Sequence, residues 1–330
     1  MKHPIKKYVK EIQAGNRRFV GKTITFLEST LPKKFEHGQQ ILEKLLPYTG
    51  NSIRIGITGV PGVGKSTFIE TFGLYLIEQG HRVAVLAIDP SSPISGGSIM
   101  GDKTRMQLLS AHEGAFIRPS PSGGMLGGVA RKTKETIMVC EAAGYDVIIV
   151  ETVGVGQSET TVSSMVDCFL VLMLPNAGDE LQGIKKGVLE IADLITVNKA
   201  DGDNELKAKQ AAMEYTRALH FLRPPKAAWV PKVLKCSALQ KTGIDDVWVN
   251  ILDYQKKMVE SGEWIKQRQN QARNWLWTLI EEDLKFRFQQ HPEVQQLIKP
   301  LEEAIQIGKM HPTAAARQLL DACFTSQNKS

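Results

Sequence analysis

Two apolar patterns alternate along this chain. From Ile53 onward, short continuous apolar runs recur: Ile53, Ile55 and Ile57; Val83 to Ile88; Asp146 to Glu151; Phe169 to Leu174; Leu194 to Val197; Lys232 to Cys236. Stretches with helical spacing separate them, as in Phe68, Phe72 and Leu76. Continuous β-rich runs between helices predict a mostly parallel sheet covered on both faces. Before Ile53 the pattern is helical, with Tyr8, Ile12, Phe19, Leu27, Ile41, Leu42, Leu45 and Leu46 at near-helical spacing. Gly15, Pro32 and Pro47 to Gly50 break that stretch. Beyond Glu260 the pattern is helical again, and Pro292, Pro300 and Pro312 are expected to cut it into shorter helices. The predicted division is an N-terminal helical extension over 1–50, an α/β domain over 51–262 and a C-terminal helical segment over 263–330. Trp275, Leu276, Trp277, Leu279 and Ile280 place apolar surface on more than one face of one helix, which predicts a dimer contact in that last segment.

Composition narrows the picture without deciding it. The 330 residues are 42% apolar and 23% charged, ordinary for a globular protein. The net charge of +6 comes from scattered basic residues, with no basic stretch interleaved with aromatics, so nucleic acid is not an expected partner. Cys140, Cys168, Cys236 and Cys323 form no C-x-x-C pair, which points to a reducing compartment. Met1 to Lys7 is charged where a secretory leader is apolar, and the longest strongly apolar run, around Phe169 to Leu174, is too short to cross a membrane. A cytoplasmic place is the expectation.

The chemistry enters at the ends of the predicted strands. Gly59-Val60-Pro61-Gly62-Val63-Gly64-Lys65-Ser66 fits the phosphate-loop pattern G-x-x-x-x-G-K-[ST], and Thr67 continues it into a helix. Glycines let backbone N–H groups turn toward a polyphosphate, and a helix N-terminus favours the negative charge. Lys65 would reach the β- and γ-phosphates, and the Ser66 hydroxyl would ligate Mg²⁺. Asn198-Lys199-Ala200-Asp201 follows the run Leu194 to Val197 and matches the N-K-x-D base-reading pattern. Guanine offers two donors on one edge, N1–H and the 2-amino group, which a carboxylate at Asp201 accepts; adenine offers an acceptor there. Asn198 would tie this loop to the phosphate loop or reach N7, and the Lys199 stem would cover the base. Ser237-Ala238-Leu239 stands third in order, where the Ala238 N–H would donate to guanine O6.

The metal side rests on single residues. Glu151 could hold Mg²⁺ through water, and the Gly154 N–H could meet the γ-phosphate. Asp89 ends its run facing the same place, whereas Asp102 reads equally well as a turn or cap residue. Val155 stands directly after E-x-x-G, where a water-orienting glutamine sits in Ras-like G proteins, so slow intrinsic hydrolysis is expected.

Gly59 to Thr67, Ala87 to Pro93, Gly96 to Met106, Glu151 to Glu159 and Asn198 to Asp201 together resemble the MeaB/ArgK family, with the Gly96 to Met106 block the most specific part. The resemblance covers nearly the whole chain. It implies a phosphate-loop GTPase of the signal-recognition-like branch that binds GTP or GDP with Mg²⁺ and forms a homodimer. It further implies a chaperone of an adenosylcobalamin-dependent methylmalonyl-CoA mutase, gating cofactor loading and protecting that enzyme. By the same resemblance Ser66, Asp89, Asp102 and Glu151 surround Mg²⁺, Asp179 to Lys186 forms a third switch loop, and Lys185 reaches the nucleotide site. Older naming in the family suggests a kinase of amino-acid transport proteins, a reading that Asp201 opposes. A nickel-insertion GTPase would need clustered His or Cys ligands, but the seven histidines are dispersed. A nucleotide-binding module without turnover would keep the same loops.

Overall fold

The computed structural model describes residues 5–88, 106–120, 126–152, 159–175, 186–222 and 228–325. Among them, seven parallel strands form one sheet in the order β3-β2-β4-β1-β5-β6-β7. The strands are β1 (Ile53–Gly59), β2 (Val83–Ile88), β3 (Ala115–Ser120), β4 (Val147–Thr152), β5 (Cys168–Met173), β6 (Leu194–Val197) and β7 (Lys232–Lys235). In chain order the helices are α1 (Ile5–Gln13), α2 (Arg17–Leu27), α3 (Pro32–Leu45), α4 (Lys65–Glu78), α5 (Gln107–Ala111), α6 (Leu126–Ala142), α7 (Glu159–Ser163) and α8 (Lys186–Ile191). They continue as α9 (Glu205–Leu222), α10 (Ile244–Glu260), α11 (Glu263–Gln290), α12 (Pro292–Gln306) and α13 (Pro312–Thr325).

Alternation along each strand builds two cores, because successive side chains leave a strand on opposite faces. Ile53, Ile55, Ile57, Val83, Val85, Val147, Ile149 and Leu170 join Phe68, Phe72 and Leu76 of α4 and Val247, Trp248 and Ile251 of α10. Ala84, Leu86, Ile148, Val150, Phe169 and Val171 join the opposite core. There Tyr8, Ile12, Val20, Ile24, Leu27, Ile41 and Leu45 of the first three helices close over the sheet. Met1–Gln271 is one compact unit and Ala272–Ser330 a second, the boundary falling within α11.

Two local expectations need correction. β3 was absent from the apolar runs, because Arg118 and Pro119 interrupt its pattern. It is an edge strand, bonded to β2 alone, where a proline without an N–H is tolerated. Pro300 does not end a helix but lies inside α12. It is exposed, so water can reach the carbonyl that loses its helix partner. In the second unit, α12 and α13 lie against each other and Val294, Leu301 and Ala315 are buried. Among the described residues no helix is long and apolar enough to cross a membrane.

Candidate functional site

The site forms at the carboxyl ends of β1, β4, β6 and β7, where ligands gather in open parallel sheets. Central β1 runs into the glycine loop and then into α4. Gly59 has no room for a side chain, since a Cβ there would stand 2.6 Å from the Leu172 carbonyl oxygen. Gly64, the residue before α4, has φ +89°, a left-handed conformation that favours glycine. It brings no side-chain hydrogen bond to the helix end, and the first-turn N–H groups of a helix are donors suited to an anion. Pro61, Gly62 and Thr67 are exposed, while Val60, Lys65 and Ser66 are half-buried. Ser66 lies in the first turn of α4.

The Lys65 ammonium donates to the Gly59 carbonyl at 2.8 Å, with the Val60 carbonyl at 3.5 Å. Burial pushes its pKa below the ordinary lysine value, and the Glu151 and Glu159 carboxylates act in the opposite direction. Glu151, on β4, is buried and pairs in register with Ile57 of β1. Glu159 opens α7 and is 3% exposed. In sequence Glu159 only closes the Glu151 to Glu159 stretch and has no role of its own; its burial and its charge beside Lys65 emerge from the fold. The two strand ends are tied by a buried hydrogen bond, Thr152 Oγ1 donating to Thr58 Oγ1 at 2.6 Å.

Asn198 joins the phosphate loop to the base-reading loops. Its Nδ2 donates to the Val63 carbonyl at 2.9 Å, and its Oδ1 accepts the Ala238 N–H at 3.0 Å. The Cys236 thiol also reaches Oδ1, at 3.5 Å. Of the two roles open to Asn198, this geometry occupies the tie to the phosphate loop. The Ala238 N–H expected on guanine O6 is given to Asn198 here, because the side-chain oxygen lies within the turn. Lys199 has φ +59°, uncommon for a residue with a side chain, and its Cε lies 3.9 Å from where a Gly64 Cβ would stand. Its stem therefore borders the glycine loop. Asp201 accepts a hydrogen bond from Ser237 Oγ, and Ser237 is fully buried. Leu239 is 79% exposed. Thus Lys65, Glu151, Asn198, Lys199, Asp201, Ser237 and Ala238 come from four separate segments to one end of the sheet.

Asp89, Asp102, Gly154 and Lys185 lie outside the described residues, as do Val155 and the third-switch segment before Lys186. Among the described residues no group of three or more His, Cys, Asp or Glu side chains could hold a metal by itself. The Ser66 hydroxyl and the Glu151 carboxylate are hard oxygen donors of the kind Mg²⁺ takes, with water and phosphate oxygens completing its shell. The donor set fits a nucleotide-borne Mg²⁺.

Comparison with known proteins agrees with this arrangement. A family model described as "Methylmalonyl Co-A mutase-associated GTPase MeaB" matches residues 20–293. A relative from Caulobacter vibrioides is 52% identical over 309 residues, covering 94% of each chain. "GTPase ArgK" of Escherichia coli is 47% identical over 311 residues, again 94% of each chain. "Methylmalonic aciduria type A homolog, mitochondrial" of Mus musculus is 46% identical over 318 residues, 93% of this chain and 77% of that one. A crystal structure described as "LAO/AO transport system kinase" superposes with a TM-score of 0.78 at 40% identity, covering 97% of this chain and 98% of its own.

Proposed function

The chain belongs to the MeaB family of methylmalonyl-CoA mutase-associated GTPases, and on that premise we propose that it binds and hydrolyses GTP to assist an adenosylcobalamin-dependent methylmalonyl-CoA mutase. The observation that carries the nucleotide half is Asn198, which bonds the Val63 carbonyl and the Ala238 N–H at once. Phosphate and base sites are thereby held in one network.

In this reading Gly59 to Thr67 cradle the phosphates, and Lys65 leaves its loop carbonyls for the β- and γ-oxygens. Ser66 and Glu151, with Asp89 and Asp102, hold Mg²⁺, directly or through water. When bound, Mg²⁺ neutralises charge on the β- and γ-phosphates. Asp201, kept in place by Ser237, accepts from guanine N1 and the 2-amino group. Lys199 covers the base, and Ala238 and Leu239 border it, with guanine O6 sharing the Ala238 N–H. The Gly154 N–H meets the γ-phosphate. With Val155 unable to orient water, basal turnover is slow, and a partner speeds it by bringing Lys185 onto the developing charge.

The family name and the mouse relative's name support the mutase as client. A cytoplasmic place is consistent with three buried cysteines and one half-buried, all unpaired. The second unit offers a dimer surface on α11, where Trp277 is 59% and Leu276 55% exposed. Truncation belongs after Gln271, since Trp264 is buried in the first unit's core and Arg268 is bonded to Asp167. Light scattering should find the truncated chain monomeric and the full chain dimeric.

The deciding experiment measures GTP turnover with and without a methylmalonyl-CoA mutase, in wild type and in Lys185→Ala. Slow basal turnover, stimulated by the mutase in wild type but not in the variant, is expected. Fast turnover by the isolated protein, or none with the mutase, would overturn the reading.

A further inference from the structure

Thr71 sits in the second turn of α4 and is half-buried. A threonine inside a helix ordinarily turns its hydroxyl to the carbonyl four residues back. Thr71 instead donates to the carbonyl of Ala238, 167 residues further along the chain, at 2.9 Å. Ala238 is 3% exposed and is the central residue of the Ser237-Ala238-Leu239 turn. Its N–H is given to Asn198 at 3.0 Å. Both backbone polar groups of Ala238 are therefore held, one by the base-reading motif after β6 and one by the phosphate-loop helix.

The ties close a ring. Val63 in the phosphate loop is bonded to Asn198, Asn198 to Ala238, Ala238 to Thr71, and Thr71 returns through α4 to Lys65. From Lys65 to Thr71 the helix rises about 9 Å. A helix is stiff over that span, so α4 acts as a ruler between its N-terminal phosphate end and the turn beside the base. The same turn aligns Asp201, because Ser237 Oγ donates to the Asp201 carboxylate and accepts the Gln240 N–H at 3.1 Å.

We infer that Thr71 is a positioning residue for base recognition: its hydroxyl fixes the Ala238 peptide, and through Ser237 the Asp201 carboxylate, at a set distance from the phosphate site. The inference rests on the guanine-nucleotide reading of the site. It assigns Thr71 no contact with nucleotide. Loss of the hydroxyl frees the base-reading turn while leaving the glycine loop, Lys65 and Ser66 intact. Discrimination between bases should suffer and phosphate affinity should not.

The test uses the full chain with Mg²⁺ and three probes: GDP, ADP and inorganic tripolyphosphate. In Thr71→Val, GDP affinity should fall about five- to tenfold, as expected for one lost hydrogen bond and an unpartnered buried carbonyl. The GDP-over-ADP preference should fall by the same factor, with tripolyphosphate affinity unchanged. Thr71→Ser, which restores the hydroxyl, should match wild type. If valine prevents folding, Thr71→Ala is read in its place. Unchanged GDP affinity in the variant, or equal losses for GDP and tripolyphosphate, would overturn the inference. Failure of the underlying reading shows elsewhere, as a wild-type protein that does not prefer GDP over ADP.

Discussion

Asn198→Ala is the sharpest test of the site's architecture. Asn198 is 2% exposed, and its amide makes two well-placed bonds, to Val63 O at 2.9 Å and from Ala238 N at 3.0 Å. Truncation leaves both backbone groups without that partner. A stranded buried polar group costs about 1–3 kcal/mol, so two give about 2–6 kcal/mol. The Val63 carbonyl borders the exposed residues Pro61 and Gly62, where water can compensate in part, which favours the lower half of that range. About 3 kcal/mol corresponds to a fall in melting temperature of roughly 6–12 °C for a domain this large. The assay is thermal unfolding of wild type and variant, with and without saturating Mg²⁺–GDP. A ligand at a thousand times its Kd stabilises the wild type by about 4 kcal/mol. The variant should gain far less, because the turn that orients the base is loose. An apo melting temperature equal to wild type, with an undiminished GDP response, would refute the reasoning.

Asp201→Asn should lose guanine affinity and gain xanthine affinity, since the new amide donates toward the C2 carbonyl; Kd values for GDP and XDP on both proteins check it. Lys65→Ala should abolish most triphosphate binding without lowering apo stability, because burial already disfavours its ammonium; nucleotide titration beside a urea melt reads both. Arg268→Met should cost about 3–5 kcal/mol by breaking a buried ion pair with Asp167, whose side chain is 1% exposed, and Asp167→Asn in that background should recover part of the loss in urea. Burial, with the Arg54 charge added, pushes the Lys134 pKa from 10.5 down to about 8. Between those two pH values the unfolded chain keeps a proton that the folded chain releases, so this group's contribution to stability rises with pH across that window. In parallel urea melts the stability of wild type relative to Lys134→Met should therefore rise as the pH goes from about 8 to 10.5, and a difference that stays flat across that window would contradict the lowered pKa.

The legible parts of this protein are those coded by neighbours in sequence. Six strands announced themselves as continuous apolar runs, and the phosphate loop and N-K-x-D are local spellings of backbone and base chemistry. β3 was hidden because an edge strand needs no continuous apolar run, and Arg118 with Pro119 removes the pattern. Pro300 misled because an exposed helix face tolerates a proline. Thr71 carried no motif of its own, and Cys236 and Glu159 stood at the edges of motif stretches without a role assigned to them. Their partners come from other segments, and only the fold brings Thr71 to Ala238. The same holds for Arg268, which donates to Gly50 O and to Ser52 O at 2.6 Å, more than two hundred residues earlier.

The two ends of the sheet use polar groups in opposite ways. At the amino ends, Asp167 accepts from Arg268 and from the Arg54 N–H. Glu141 accepts from the Arg54 guanidinium, the Ser52 hydroxyl and the Gly50 N–H. Each buried charge there is matched by charge-assisted partners, so a ligand would have to break more than it could replace. At the carboxyl ends, the Lys65 ammonium donates to neutral carbonyls of its own loop. A phosphate offers that ammonium a charged partner in exchange for a neutral one, and the open first turn of α4 adds further donors. An anion is therefore expected at the carboxyl ends of the strands, where Lys65 can exchange neutral partners for a charged one, and not at the amino ends, where Asp167 and Glu141 already hold Arg268 and Arg54.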